Sequence, residues 1–421
     1  MARASSDIAP ILVHLVARYS RVALKHGNFA SLPAPRLRAP KGVALTMRQI
    51  RTSRFLGAPA RTAGSARPAP AEGAPGREPL PRPAASRDLP ARPRYLGTPD
   101  GGRSFEFEAT EGCRAREALL AIGVARRTAA ELLEGGRVLC AGEALSQARR
   151  LGAGQRFAVL PRELPAAAAP APAGSPADVS VLFEDEFVIV ADKPQRLLVH
   201  GDGTGADTLT ARVQALLDRR ASDGSAPARR AQALQRLDVD TSGVVLFCKV
   251  PEFQPPFDAL VAGAAGGRDG GDGGALPADA DRPRMRKRYL ALVEGAFDAR
   301  RAVLRDPIAR DRHDARRMRV SPTGQAALTT VELVGTVPYH GRPCSLLLVE
   351  LGTGRRHQIR VHLAAHGHPV VGDALYGAGS PVGEGLMLHA WREEFVHPLT
   401  GRRVLIETPW PSRFPARPAR I

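Results

Sequence analysis

Gln235-Arg236-Leu237-Asp238-Val239-Asp240-Thr241-Ser242-Gly243 is the stretch on which the reading of this chain turns. It stands directly before the apolar run Val244 to Phe247, which reads as a strand. Thr241 and Ser242 offer hydroxyl donors, and Gly243 admits backbone angles closed to other residues. Asp238 thus falls in a polar turn ahead of a strand, a placement that suits a catalytic acid, base or nucleophile. The same residue types are ordinary turn formers, so local physics alone leaves a structural role open. A further use would pair Asp238 with Asp240 as the two carboxylates of a glycosidase. They share a face of an extended chain, but working carboxyls of that kind stand roughly 5 Å or more apart, a separation that one turn does not guarantee.

Outward from this stretch, residues 179–415 read as one domain. Val181 to Asp192 holds an acidic turn, Glu184-Asp185-Glu186, followed by the apolar strand Phe187 to Ala191, which Lys193-Pro194 ends. Leu209 to Leu217 has the spacing of an amphipathic helix, while Val244 to Cys248, Tyr289 to Val293 and Ser345 to Leu351 are strand-like. Few long helices among many strands predict an α+β fold on a mixed or antiparallel sheet. The Gly- and Asp-rich Gly263 to Pro283 reads as an inserted surface loop.

Two more segments of this domain could carry chemistry. Gly352-Thr353-Gly354-Arg355-Arg356-His357-Gln358-Ile359-Arg360-Val361-His362 pairs glycines and arginines ahead of an apolar helix, a pattern that can hold a phosphate. His357, His362, His366 and His368 invite a metal reading. The H-E-x-x-H spacing is absent, and no third ligand accompanies His362 and His366, so no metal site is expected. In Arg286-Lys287-Arg288-Tyr289-Leu290-Ala291-Leu292-Val293-Glu294-Gly295 a tyrosine opens a strand after three cations. Such a ring could stack on a base, or be a half-buried strand residue behind a solvated charge run.

Toward the N-terminus, residues 103–163 form a compact unit. It has helical spacing at Ala115–Leu120 and Ala129–Leu133, turns at Glu134-Gly135-Gly136 and Ala141-Gly142, and a closing strand from Phe157 to Leu160. Arg114, Arg116, Arg126, Arg127 and Arg137 gather around its helix pair and would suit a phosphate backbone. Residues 164–178, rich in Ala and Pro, read as a linker. Residues 1–100 read as a disordered Ala/Pro/Arg-rich tail, because Ala58 to Arg94 has no period that could bury apolar surface. The first 56 residues hold a single acid, Asp7, and could be an organellar presequence or belong to a misassigned start, with Met47 or a later codon as the true one.

The 421 residues carry 60 Lys+Arg against 42 Asp+Glu, a net charge of +18, which favours an acidic partner, nucleic acid before membrane. Residues 1–100 hold 17 basic and 5 acidic residues, so the tail owns two-thirds of that excess. No stretch approaches the roughly 18 apolar residues of a bilayer span. Cys113, Cys140, Cys248 and Cys344 form no C-x-x-C pair, which argues against zinc ribbons and disulfide scaffolds.

Together these segments resemble the RluA-type family of RNA pseudouridine synthases. Arg236-Leu237-Asp238 with Thr241-Ser242-Gly243 matches the family's R-L-D and T-S-G signature, and Lys287 with Tyr289 matches its K-x-Y. Gly354 to His362, Gly367-His368-Pro369 and Gly372-Asp373-Ala374-Leu375-Tyr376-Gly377 match G-R-x-H-Q-I-R-V-H, G-x-P and G-D-x-x-Y-G. Leu388-His389-Ala390 and His397-Pro398 fit its C-terminal pattern, and Val181 to Pro194 its opening strand. Residues 103–163 resemble, more loosely, the S-four-type RNA-binding module that often precedes this catalytic domain, on Arg126-Arg127, Gly136-Arg137-Val138 and Gly142.

The resemblance implies isomerisation of uridine to pseudouridine in structured RNA, with no cofactor and no metal. Ribosomal RNA of the large subunit is the expected substrate and transfer RNA the alternative; an inactive RNA-binding or ribosome-assembly protein is the competing function. A monomer in the bacterial cytoplasm, without membrane association, is expected. Asp238 would be the ionised catalytic carboxylate, Arg360 its partner, and Tyr289 the ring stacked on the uracil, its hydroxyl helping to remove the C5 proton. The target base must flip out of its helix, and Arg236 would fill the gap. Lys287, Arg355 and His357 would contact RNA backbone or base edges, with Arg126, Arg127 and Arg137 on the smaller unit. The chain departs from the family at Gln235, where His is usual, at Arg356, where Thr or Ser is usual, and at Gln195-Arg196, where a small residue and Gly are usual.

Overall fold

The structure, a computed structural model, describes residues 89–162, 179–201, 207–264, 285–377 and 385–418. The presequence-like segment, the expected linker and nearly all of the expected insertion lie outside these residues.

Ser242–Cys248 is a strand buried at every position and forms the spine of the larger domain. It pairs antiparallel with Val188–Lys193 over six residues, from Gly243 opposite Lys193 to Cys248 opposite Val188. At its other edge it meets Leu388–Val396 in parallel, through only Ser242 opposite His389 and Gly243 opposite Ala390. The sheet runs in the order Arg301–Leu304, Thr329–Tyr339, Arg342–Leu351, Arg286–Glu294, Leu388–Val396, Ser242–Cys248, Val188–Lys193, Ser180–Glu184. Its other pairings are antiparallel. The domain is therefore α+β on a mixed sheet. Tyr289 to Val293 is buried at five successive positions because both faces of this central strand are covered.

The short parallel contact is the seam that positions the turn of Asp238. Gly243 sits there at φ +114°, and a Cβ on it would lie 2.1 Å from the Ala390 carbonyl oxygen, so only glycine lets the strands meet. Beside it, Arg413 donates to the Ser242 hydroxyl at 2.6 Å. Ser242 lies 2.8 Å from His389 Nδ1, and His389 Nε2 lies 2.6 Å from the Thr408 hydroxyl. The Arg413 donation leaves the Ser242 proton for Nδ1, so His389 keeps its own proton on Nε2. Burial pushes His389 down to about 3, which leaves the imidazole neutral.

The smaller unit is an antiparallel five-stranded sheet in the order Arg94–Gly97, Phe105–Glu108, Arg156–Val159, Val138–Cys140, Glu143–Ala144. It carries the helices Ala115–Ile122 and Arg126–Glu134. The first helix buries Ala115, Ala118, Leu119 and Ile122, one stripe at helical spacing, and stops at Gly123 in the left-handed conformation.

Two expectations are corrected here. The tail does not reach residue 100, because Arg94–Gly97 is a strand of the smaller sheet: Tyr95 packs on Phe107 at 5.4 Å and on Phe187 at 5.0 Å between ring centroids. Nor is the unit of residues 103–163 packed apart from the domain of residues 179–415. Phe105 meets Phe187 at 4.9 Å and Phe253 at 5.1 Å, so one aromatic cluster serves both sheets. Arg162 also donates its backbone N–H and Nε to the buried Glu252 carboxylate. Phe187→Ala is therefore expected to cost about 3–5 kcal/mol, the usual range for a buried Phe. A fall in the denaturant midpoint with a single transition checks both the cost and the sharing of the core. Among the described residues no helix is long and apolar enough to cross a membrane.

Candidate active site

The loop from Leu234 to Thr241 leads into the seam strand and presents Asp238. The Thr241 N–H donates to the Asp238 carbonyl at 3.1 Å, which closes the turn. Lys193 fixes it from below. Its ammonium is fully buried and donates to the carbonyls of Pro194, Leu197 and Val239, at 3.0, 2.7 and 2.9 Å. Burial pushes Lys193 down to about 8 against the pull of Asp240 and Asp238. Gln195 adds a second stitch, with its amide donating to the carbonyls of Asp240 and Leu386 at 3.1 and 2.6 Å. Arg196 stands at φ 59°, a backbone position that suits the glycine usual there. Of the departures at 195 and 196, the first adds hydrogen bonds to the loop and the second holds a left-handed backbone position.

Arg360 comes from the first turn of the helix Gln358–Ala365. Its Nε and Nη2 each lie 2.8 Å from an oxygen of Asp373, and its Nη1 lies 3.0 Å from Asp238 Oδ2. The guanidinium therefore clamps the Asp238 carboxylate while being held by a second one. Burial works against its charge, but Asp373 and Asp238 outweigh it and hold Arg360 above its ordinary pKa. Burial likewise opposes the Asp373 carboxylate, and Arg360 with two backbone N–H groups holds it below the usual range. Asp373 is fully buried, whereas a quarter of the Asp238 side chain is exposed. The exposed carboxylate is the one a ligand can reach.

Tyr289 projects from its strand into the same cleft, which has a volume of about 380 Å³. Arg236, Asp238, Tyr289, Lys287, Arg355, His357 and Arg360 all line it. Burial, reinforced by Glu393 and Asp238, raises the Tyr289 phenol well above its ordinary pKa, so the ring stays neutral at pH 7. A proton taken up by its hydroxyl must therefore leave in the same step, because no phenolate is present to act as base. Arg236 is exposed at the mouth and has no hydrogen bond or ion pair among the described residues. Arg355 is half-buried and anchors Nε on the Ala326 carbonyl at 3.0 Å.

The remaining expected contacts are placed differently. Lys287 donates to the Gln235 amide oxygen, and the Gln235 amide donates to Glu393 at 2.8 Å. This buried cluster forms the floor of the cleft. Burial pushes Lys287 down and Glu393 up, and each partly offsets the other's shift. Lys287 thus reaches Gln235, the residue standing where the family usually has His, while still lining the cleft. His357 has partners as well: Nδ1 lies 2.8 Å from the Tyr376 hydroxyl and Nε2 faces Asp238 Oδ1 at 3.7 Å. Arg126, Arg127 and Arg137 do not line this cleft. Arg126 and Arg127 are exposed, Arg127 pairing with Glu131, while Arg137 is turned onto the Pro161 carbonyl. His362 is bonded to the Thr329 hydroxyl and the Asp306 carbonyl, and His366 to the Asp306 carboxylate.

Three residues given no role from sequence shape the site. Asp373 holds Arg360, and Tyr376 holds His357. Gln358 accepts from the Thr353 hydroxyl at 2.7 Å and from the Arg355 N–H at 3.0 Å, which fixes the loop ahead of the helix. Their signal was present: all three lie inside G-R-x-H-Q-I-R and G-D-x-x-Y-G.

A carboxylate clamped by a buried arginine, under a neutral tyrosine ring and inside a rim of arginines, suits a planar polar ring carried on a polyanion. Such a site on a mixed α+β sheet defines a nucleic-acid-modifying protein. The family model described as RNA pseudouridylate synthase matches residues 187–365. The uncharacterized RNA pseudouridine synthase YhcT of Bacillus subtilis is 32% identical over 235 residues, 56% of this chain and 70% of that protein. An uncharacterized RNA pseudouridine synthase of Mycobacterium bovis is 32% identical over 301 residues, 69% of this chain and 88% of its own length. The ribosomal large subunit pseudouridine synthase D of Nitrosomonas europaea is 34% identical over 243 residues, 55% of this chain and 62% of its own length. The chain belongs to the RluA-type family of RNA pseudouridine synthases.

Proposed function

We propose that this protein isomerises specific uridines to pseudouridine in structured RNA, with large-subunit ribosomal RNA as substrate. The observation that carries the proposal is the Asp373–Arg360–Asp238 clamp beside the Tyr289 ring in one cleft. The target uridine leaves its helix, at a cost of a few kcal/mol, and its uracil lies against Tyr289 with the ribose C1′ near Asp238. The N1–C1′ bond breaks, the uracil turns, and C5 bonds to C1′. The C5 proton leaves and N1 takes one up, so nothing is consumed. Asp238 is the reacting carboxylate. Arg360 stabilises its negative charge and orients it. Arg236, free at the mouth, occupies the gap that the flipped base leaves, and Arg355 meets the backbone. The smaller unit, with Arg126 and Arg127 exposed on its second helix, binds RNA flanking the target. The substrate assignment is supported by the printed name of the Nitrosomonas relative.

The test is chemical mapping of pseudouridine in total RNA from cells with and without the gene. Loss of one or a few sites in large-subunit RNA is expected. Loss only in transfer RNA would move the substrate, and no change with intact RNA binding would favour the inactive binding protein.

A further inference from the structure

His357 is the residue whose placement the clamp does not explain. It caps the helix Gln358–Ala365 at φ 56° and ψ 19°, a left-handed backbone that non-glycine residues seldom adopt. Such strain persists where the surroundings impose it, and here Nδ1 is hydrogen-bonded and Nε2 faces a carboxylate. On one side, Tyr376 Oη lies 2.8 Å from Nδ1 and 2.8 Å from the Met318 backbone nitrogen. The Met318 N–H can only donate, so it occupies the Tyr376 oxygen as acceptor. Among the described residues the phenol proton has one acceptor within reach, His357 Nδ1. With Nδ1 accepting, a neutral imidazole carries its proton on Nε2. On the other side, Nε2 faces Asp238 Oδ1 at 3.7 Å. An N–H pointed at a carboxylate is attractive and a lone pair pointed there is repulsive, so both ends of the ring select the same form. Asp238, Arg360, Arg356 and Asp373 are the charged groups that act on the imidazole; burial and the two arginines outweigh the two carboxylates and keep it neutral at pH 7.

The two oxygens of Asp238 are thereby made different. Oδ2 is held by the Arg360 cation at 3.0 Å, and Oδ1 is faced by the neutral N–H of His357. Closing 3.7 Å to hydrogen-bond length needs a movement of about 0.8 Å, the kind of tightening that occurs when a substrate fills a site. We propose that Tyr376 is a positioning residue for the reaction, holding His357 as its Nε2–H form so that His357 orients Asp238 Oδ1 toward the bound nucleoside. The role rests on the reading of Asp238 as the reacting carboxylate. It also ties the carboxylate to the hairpin of Ile308–Arg310 and Met318–Val320, since Met318 supplies the first donor of the chain.

The experiment has two independent readouts. In the full-length protein labelled with ¹⁵N-histidine, long-range ¹H–¹⁵N spectra report the tautomer of each neutral imidazole. The His357 signals are those missing in His357→Asn, a substitution that tolerates left-handed backbone. His357 is expected as the Nε2–H form, and as a mixture of both forms in Tyr376→Phe. Separately, on unmodified large-subunit RNA transcribed in vitro, Tyr376→Phe is expected to lower the single-turnover rate by ~10- to 100-fold, the scale of a reactive group displaced by up to an ångström. RNA affinity should stay unchanged. His357→Asn, which keeps an N–H donor at the position, should recover part of the rate lost in His357→Ala. An Nδ1–H signal in the native protein overturns the proposal. So does a Tyr376→Phe variant that loses RNA affinity while keeping its rate. If the native protein modifies no RNA, the function has failed, and the tautomer still decides the Tyr376–His357 arrangement by itself.

Discussion

Asp238→Asn abolishes pseudouridine formation while the protein still folds and still holds RNA: this is the largest effect expected of any single substitution. The exchange keeps the shape of the side chain and removes the charge. Arg360 remains paired through Asp373, whose two oxygens both engage it at 2.8 Å, so no buried cation is stranded. The loss should approach the ~10⁴-fold upper end for a positioned acid–base group. Single-turnover assays on unmodified large-subunit RNA, with melting curves and RNA binding measured in parallel, check all three parts. Residual activity within tenfold of the native enzyme would remove Asp238 from the mechanism.

Asp373→Ala is expected to damage stability and activity together. Asp373 is fully buried and holds Arg360 by a two-point contact. Its removal leaves a buried guanidinium with only Asp238 as counter-charge. Breaking a buried pair in this way costs about 3–5 kcal/mol, and the surviving contact with Asp238 places this case at the lower end. Asp238 is then clamped by a cation that is no longer held, so the rate should fall by ~10²-fold, as for a displaced reactive group. Asp373→Asn, which keeps an acceptor for Arg360, should recover more stability than rate. Denaturant titration and single-turnover assays separate the two. A stable, fully active Asp373→Ala protein would mean that Arg360 is positioned by something other than this fork.

The strands were legible because their patterns are local. Val244 to Cys248, Tyr289 to Val293 and Ser345 to Leu351 are apolar runs, and each is a strand in the structure. The helix after Leu209 runs on to Ser222, ending where Arg219 and Arg220 complement its C-terminal carbonyls. Asp238, Tyr289 and Arg360 could be singled out because each stands in a short, ordered motif. Lys287 and His357 stand in motifs too, but the neighbours that their atoms reach were not legible. A sequence shows that a side chain is cationic or aromatic, not which neighbour its atoms reach once the chain is folded. Lys287 meets Gln235 from a strand 52 residues away, and His357 meets Tyr376 across a loop. The strand Arg94–Gly97 was hidden for a related reason. Four residues after a Pro- and Arg-rich stretch have no period of their own, and only Phe107 and Phe187 make Tyr95 a core residue.

By itself the sequence determined the α+β class, the basic character of the chain, and the identity of the carboxylate, arginine and tyrosine that meet in the cleft. These rest on residue type and short spacing, which survive without coordinates. Only the tertiary structure decided that the two sheets share one aromatic core, that Asp373 holds Arg360, and that Tyr376 sets the proton on His357. Those are choices of partner between segments brought together by the Gly243 seam and the loops around it. Hydrogen-bond and ion-pair energies depend on tenths of an ångström across such contacts, a scale that spacing along the chain does not encode.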